Sequence, residues 1–142
     1  MGYWSQASRI HVAHMRGGDF FSRESYTTIE KACKVRIELE DSNGNVTVMK
    51  PELPLLDGEV IDAMYMSKKA LCDFFDEQLD DAKNTGILFS LHVKATMMKV
   101  SHPIVFGYAV RRFYKELFDQ HGDTLEQIGA NPNNGLSHIY QK

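Results

Sequence analysis

The sequence predicts an α+β domain in which a β-hairpin and one or more buried strands pack with two main helices. Three stretches carry that expectation: an alternating segment folded about an Asn-Gly pair, a long segment of helical period, and a short apolar run between helices. Together they are read as a single domain over residues 1–142, the usual size for one hydrophobic core.

Residues 1–29 show no sustained period. Gly17-Gly18 interrupts them, and Asp19-Phe20-Phe21 follows with two aromatics expected to dock on a core elsewhere. Tyr3, Trp4, Ile10 and Val12 are residues of the buried kind with no element to hold them, as if cut from a longer chain.

The pattern sharpens from Lys34. Val35, Ile37 and Leu39 alternate with Arg36, Glu38 and Glu40, the period of a half-buried strand. Asn43-Gly44 then tolerates the positive φ of a hairpin turn, and Val46 and Val48 flank Thr47. A hairpin over residues 32–50 follows, with Pro51 and Pro54 ending it and Leu55 to Asp62 leading into a helix.

Ser67 is the N-cap candidate of a helix over residues 67–84. Ala70, Leu71, Phe74, Phe75, Leu79 and Ala82 share one face, and the acidic residues Asp73, Asp76, Asp80 and Asp81 read as a solvated face. Gly86 follows as a C-terminal stop. Ile87 to Val93 is nearly continuous in apolar residues, which predicts a strand over 87–94 covered on both faces. A second helix is expected over 102–121, starting near Ser101 with Pro103 in its first turn and Phe106, Val110, Phe113 and Leu117 inward. Asp123 should cap a short helix to about Ile128, and Asn131 to Gly135 is a loop before a final helical restart.

Composition narrows the function. Hydrophobic residues make up 43% and charged residues 25%, which excludes a disordered or fibrous chain. With 16 Lys+Arg against 19 Asp+Glu and no basic stripe, nucleic acid is not an expected partner. Charges interrupt every apolar run, so no membrane partner is expected, and the start lacks a secretory pattern. Gly2 is a poor acylation site because Gln6 stands where Ser or Thr is needed. Cys33 and Cys72 are too far apart for a zinc signature and too few for a disulfide framework; a cytoplasmic location fits.

The residue singled out for chemistry is Lys94, an ammonium at the exit of the apolar strand, where ligands meet α/β sheets. Desolvation there would tune it as a proton donor or acceptor. On position alone, a lysine that simply leaves the sheet for water is the plainer reading. The stretch Lys94-Ala95-Thr96-Met97-Met98-Lys99-Val100-Ser101, followed by Pro103-Ile104-Val105-Phe106-Gly107, closely resembles a signature of monomeric NADP-dependent isocitrate dehydrogenases. Leu55 to Val60, Ser67 to Leu71, Gly86 to Ser90 and Asn131 to Leu136 resemble that family in the same order, and Met1 to Ser5 more weakly.

The resemblance implies an internal fragment of a larger α/β enzyme fold, one that oxidises isocitrate with NADP and decarboxylates it to 2-oxoglutarate, a tricarboxylic acid cycle step. It implies a catalytic role for Lys94, working with a tyrosine from a later part of the chain, and a weaker substrate-binding role for Lys99. In the intact family enzyme, NADP and a Mg or Mn ion held by aspartates are the cofactors. The family's remaining substrate, metal and NADP residues lie outside the matched region. No cofactor-binding or metal residue is therefore expected in this chain, which should bind isocitrate only within the intact enzyme and be inactive alone. One departure is His102, where the family usually has Asp; a histidine suits the positive end of a helix less well.

Other candidates have plainer readings. Lys99 reads as a solvated lysine before a helix, and His92 as a hydrogen-bonded core histidine. His11 and His14 lack helical context and further ligands for a metal. Met97 and Met98 read as packing, and Ser90, Ser101 and the cysteines lack a nucleophile motif. The alternative to an enzyme fragment is a non-catalytic stand-alone module that kept the fold. Exposed Tyr3, Trp4 and Tyr140 would then make it a homodimer through apolar surface.

Overall fold

The computed structural model describes residues 3–142; Met1 and Gly2, the acyl-acceptor candidate, lie outside the described residues. The chain forms two bodies, one of residues 20–66 and one that joins the segment up to residue 19 with residues 67–142. Four helices and two small antiparallel sheets make it α+β, as expected.

The smaller body is all β apart from a single 3-10 turn at Phe21–Arg23. Strand β1 (Ser25–Thr28) pairs antiparallel with β4 (Val60–Ala63), and between them in sequence β2 (Cys33–Glu40) pairs with β3 (Val46–Leu55). The hairpin turn forms where Asn-Gly placed it, with Gly44 at φ 80°. Asp41 organises it. Its Oδ1 accepts the N–H groups of Asn43 at 2.8 Å and Asn45 at 2.9 Å, and its Oδ2 accepts the Asn45 side-chain amide at 2.8 Å.

Three expectations need correction here. The prolines do not end the hairpin: Pro54 pairs with Lys34, and Pro51 falls in the register break between Val35 and Ile37. A two-stranded ladder leaves each strand one free edge, and a bulge needs no donor, so both prolines are tolerated. Leu55 to Asp62 does not lead into a helix but turns at Gly58 into β4, with the Gly58 N–H donating to the Ile29 carbonyl at 2.9 Å. The partner strand β1 was missed because four residues, Ser-Tyr-Thr-Thr, are too few to show a period. Phe21 is not docked but 88% exposed.

The larger body is built on α1 (Lys68–Thr85), capped as predicted. The Ser67 hydroxyl accepts the Ala70 N–H at 3.2 Å, and Gly86 closes the helix in the left-handed conformation. Leu71 and Phe75 are the buried residues of its apolar face, and they meet α2 (Ser101–Phe113) through Val110. Arg112 of α2 clamps Asp76 of α1 with two hydrogen bonds, Nε to Oδ1 at 2.6 Å and Nη2 to Oδ2. Asp76 is therefore an inter-helix tie rather than part of a solvated face, and its carboxylate raises the already high pKa of Arg112.

The predicted helix over 102–121 is broken. Tyr114 leaves helical geometry at φ −102°, ψ 37°, and α3 (Lys115–Gln127) resumes with a further kink at His121. Phe113 is 65% exposed and Leu117 39%, so the inward face assigned to one straight helix ends at Val110. Asp123 lies inside α3 rather than capping a new helix. Beyond it, Pro132–Asn134 forms a 3-10 turn and α4 (Leu136–Tyr140) the expected restart. Pro132 is fully buried against α2, where Gly107 leaves the room: a Cβ there would collide with the Asn133 carboxamide.

The apolar run after α1 departs most from expectation. Among the described residues, 87–94 form no strand ladder. Ile87, Phe89, Leu91 and Val93 are half-buried while Leu88, Ser90, His92 and Lys94 are exposed. Phe89 stacks edge-on against Phe75 at 6.4 Å, so α1 covers one face, whereas Leu88 on the other is 91% exposed.

The turn yields a pH prediction. Hydrogen bonds from Asn45, first from its side chain, hold the Asp41 carboxyl below its ordinary value. A lowered folded-state pKa contributes stability that is complete above the unfolded value near 4 and is lost as pH falls through the folded value. The Asn43 and Asn45 amide resonances should therefore hold their positions down to about pH 4 and shift only below it. In Asp41→Ala they should lack this titration altogether.

Candidate functional site

The site expected around Lys94 starts at the end of α1. Gly86 turns the chain, and the Phe89–Phe75 contact lays residues 87–93 along the helix, which delivers Lys94 to the start of the next turn. There its backbone is held at both ends. The Lys94 carbonyl accepts the N–H groups of Met97 at 3.1 Å and Met98 at 3.0 Å. Its own N–H donates to His102 Nδ1 at 2.8 Å. His102 sits in the first turn of α2, so this bond ties the two elements that flank the signature.

Lys94 lines a cleft of 470 Å³ with Leu91, His92, Val93 and Phe106. No carboxylate lines it, and among the described residues neither Lys94 nor Lys99 joins an ion pair. A cation on a fixed backbone beside apolar walls suits an anion or a developing oxyanion. His92 is not a core histidine: it is exposed, and its Nε2 lies 2.8 Å from the Ser90 hydroxyl. Met97 and Met98 are 66% and 51% exposed and do not pack in a core. Lys99 is exposed beside them.

The role of His102 was not legible in advance. A histidine suits the positive end of a helix less well than an Asp, and here its ring nitrogen accepts the Lys94 N–H. An Asp carboxylate oxygen sits at similar reach from its Cα and would accept the same bond. The place of the residue one turn into a helix gave no sign that it reaches eight positions back.

His11 and His14 do not converge. His11 Nε2 lies 3.8 Å from an Asp81 oxygen, whereas His14 Nδ1 lies 3.1 Å from the Met15 carbonyl oxygen. Among the described residues no three His, Cys, Asp or Glu side chains come together as a metal site requires. The residues of this stretch do not by themselves fit a divalent ion. Among the described residues, no helix is long and apolar enough to cross a membrane.

The fold thus defines a piece of an α+β protein in which the backbone of Lys94 is held between the segment after α1 and the first turn of α2. The sequence matches the monomeric isocitrate dehydrogenase family over residues 1–142, and the chain belongs to that family. It is 61% identical over its whole length to isocitrate dehydrogenase (NADP) 2 of Mycobacterium tuberculosis. The proteins of the same name from a Psychrobacter species and from Colwellia maris are 54% and 52% identical over the same span. The chain spans only 19% of the length of each of these relatives.

The His102 bond is directly testable. Replacing His102 by Ala should raise the exchange rate of the Lys94 amide by roughly ten-fold, about 1.4 kcal/mol for a lost neutral hydrogen bond. His102→Asp should keep the amide protected. Equal exchange in all three proteins, followed by NMR, would mean that the bond does not hold Lys94.

Proposed function

We propose that this stretch supplies Lys94 to the active site of an NADP-dependent isocitrate dehydrogenase that converts isocitrate to 2-oxoglutarate in the cytoplasm. The observation that carries the reading is an exposed lysine with no acidic partner among the described residues, anchored at both ends of its backbone and lining an open depression. The family resemblance of the surrounding signature supports it. In the reaction, the hydrogen on C2 leaves as hydride to NADP and the proton leaves the C2 hydroxyl. The β-keto acid then loses CO2, and the resulting enolate takes up a proton. A lysine beside that oxygen, Lys94 on this reading, would help move the hydroxyl proton, and in its protonated form its charge would favour the negative charge that develops there. A Mg or Mn ion, when bound in the intact enzyme, supplies Lewis-acid polarisation of the same oxygen. Lys99 is assigned the lesser role of neutralising a substrate carboxylate.

On this reading activity depends on the rest of the family's polypeptide, of which the chain spans 19% in its relatives. In a full-length enzyme carrying it, Lys94→Ala should lower kcat by about 10²–10⁴-fold, with a smaller change in the KM for isocitrate. NADPH absorbance with isocitrate and Mg or Mn reads this directly. Unchanged turnover in that variant would remove the catalytic role. Turnover by the 142-residue chain alone, abolished by Lys94→Ala, would remove the dependence on other segments.

A second reading, a non-catalytic module that self-associates, is favoured by the amount of surface left open. Trp4, Tyr3 and Tyr140 are 73%, 106% and 76% exposed, so a homodimer would form through such apolar residues. Light scattering separates the readings. The enzyme-segment reading expects no dimer of fixed geometry, and a defined dimer at micromolar concentration would favour the module.

A further inference from the structure

Three hydrogen bonds close a ring around the signature. The Lys94 carbonyl accepts the Met98 N–H at 3.0 Å, and the Met98 carbonyl accepts the His102 N–H at 3.2 Å. His102 Nδ1 then accepts the Lys94 N–H at 2.8 Å. Two of these bonds run between backbone groups and do not respond to pH. The third ends on an imidazole nitrogen, and among the described residues it is the only bond that the Lys94 N–H makes.

A backbone N–H can only donate, so Nδ1 carries a lone pair and the proton of the neutral ring sits on Nε2. Uptake of a second proton at Nδ1 removes that lone pair. Two donors then face each other across 2.8 Å, and the ring has to turn away. Nothing around His102 holds its charged form in place. α2 contains no carboxylate, and His102 joins no ion pair among the described residues. The turn before it brings the cations Lys94 and Lys99, and His92 is bonded to Ser90. At the head of α1, Lys68 lies over the Tyr108 ring at 5.4 Å. Asp76 of α1 is taken by Arg112 at the other end of α2. The 3-10 turn Pro132–Asn134, packed on α2, has no charged residue, and α3 follows the far end, where Lys115 pairs with Asp119. The start of α2 itself presents the positive end of a helix dipole, which opposes a cation.

We propose that His102 is a positioning residue for Lys94 whose hold depends on its own proton: the neutral ring anchors the lysine and the protonated ring releases it. The inference rests on the reading of Lys94 as a catalytic residue and adds how its placement is regulated. Only the neutral ring makes the bond. Its stabilisation is therefore complete at higher pH and is lost as pH falls through the range, about pH 5 to 8, in which histidines bind a proton. An Asp in this place accepts the same bond down to about pH 4. The histidine thus moves release of the lysine from strong acid to near neutrality.

NMR on the 142-residue chain, titrated from pH 8 to pH 5, follows the His102 ring and the Lys94 amide together. The Lys94 amide resonance should shift with the same midpoint as the ring. Its exchange, corrected for the intrinsic pH dependence, should quicken by about ten-fold as the ring is protonated. In His102→Asn, whose carboxamide oxygen accepts the bond throughout this range, the amide should show neither change, and His102→Asp should behave alike. Both variants keep His92, so a titration that persists in them belongs to that residue and overturns the proposal. A Lys94 amide that stays put while the His102 ring titrates overturns it as well. For regulation of the reaction, this sequence replaces the matching stretch of the full-length Mycobacterium tuberculosis relative. Between pH 8 and pH 5 the kcat of the His102 form should fall about ten-fold further than that of the Asn and Asp forms; equal falls would count against the proposal. Lys94→Ala in the same graft tests the catalytic reading separately. Full turnover there, with the amide still following the ring, would sink the catalytic role and leave the proton-sensitive anchor standing.

Discussion

The larger body depends on one buried ring. Phe75 is 1% exposed, the most completely enclosed side chain of α1, and it touches both things that matter for the site. On one side it shares the interior with Leu71 and Val110, which joins α1 to α2. On the other it meets Phe89 edge-on, which lays the following segment against the helix and directs it toward Lys94. An aromatic pair of this geometry adds about 0.5–1.5 kcal/mol beyond the area it buries. With only Leu71, Phe75 and Val110 as buried hydrophobic residues of this body among those described, that is a large share of its packing.

So small a core explains why polar ties matter. Arg112 and Asp76 join α2 to α1 at the margin of the apolar contact, half-shielded from water, where a bidentate pair is worth more than an exposed one. His102 and Lys94 do the same at the other end of α2, through a backbone donor and a ring acceptor. Both ties cross between segments that the hydrophobic contacts alone would leave free to slide. The lysine is held by the backbone, and its ammonium has no ionic partner among the described residues.

A small core goes with exposed apolar residues: Leu88, Val12 and Ile10 are 91%, 89% and 71% exposed. Ile37, Leu39, Val46 and Val48 on the hairpin are open likewise, at 49–58% exposure. On β2 they alternate with charged residues, Ile37 and Leu39 with Arg36, Glu38 and Glu40, so one face of that strand is apolar without being buried.

The sequence by itself determined whatever depends on neighbours a few positions away. The Asn-Gly turn, the Ser67 cap, the period of α1 and the Gly86 stop all form as read, because each is decided by φ preference, a local hydrogen bond or helical spacing. Tertiary structure alone decided the rest. Whether Ile87 to Val93 is a strand depends on partners distant in the chain, and no local pattern states whether they are present. Pro51 and Pro54 could join a strand because that strand's other edge is free. His102 became the acceptor for Lys94 only because a turn brings residues eight apart within 2.8 Å. Periodicity reports which face of an element is apolar; what comes to cover that face is settled by the fold, through contacts between residues remote in sequence.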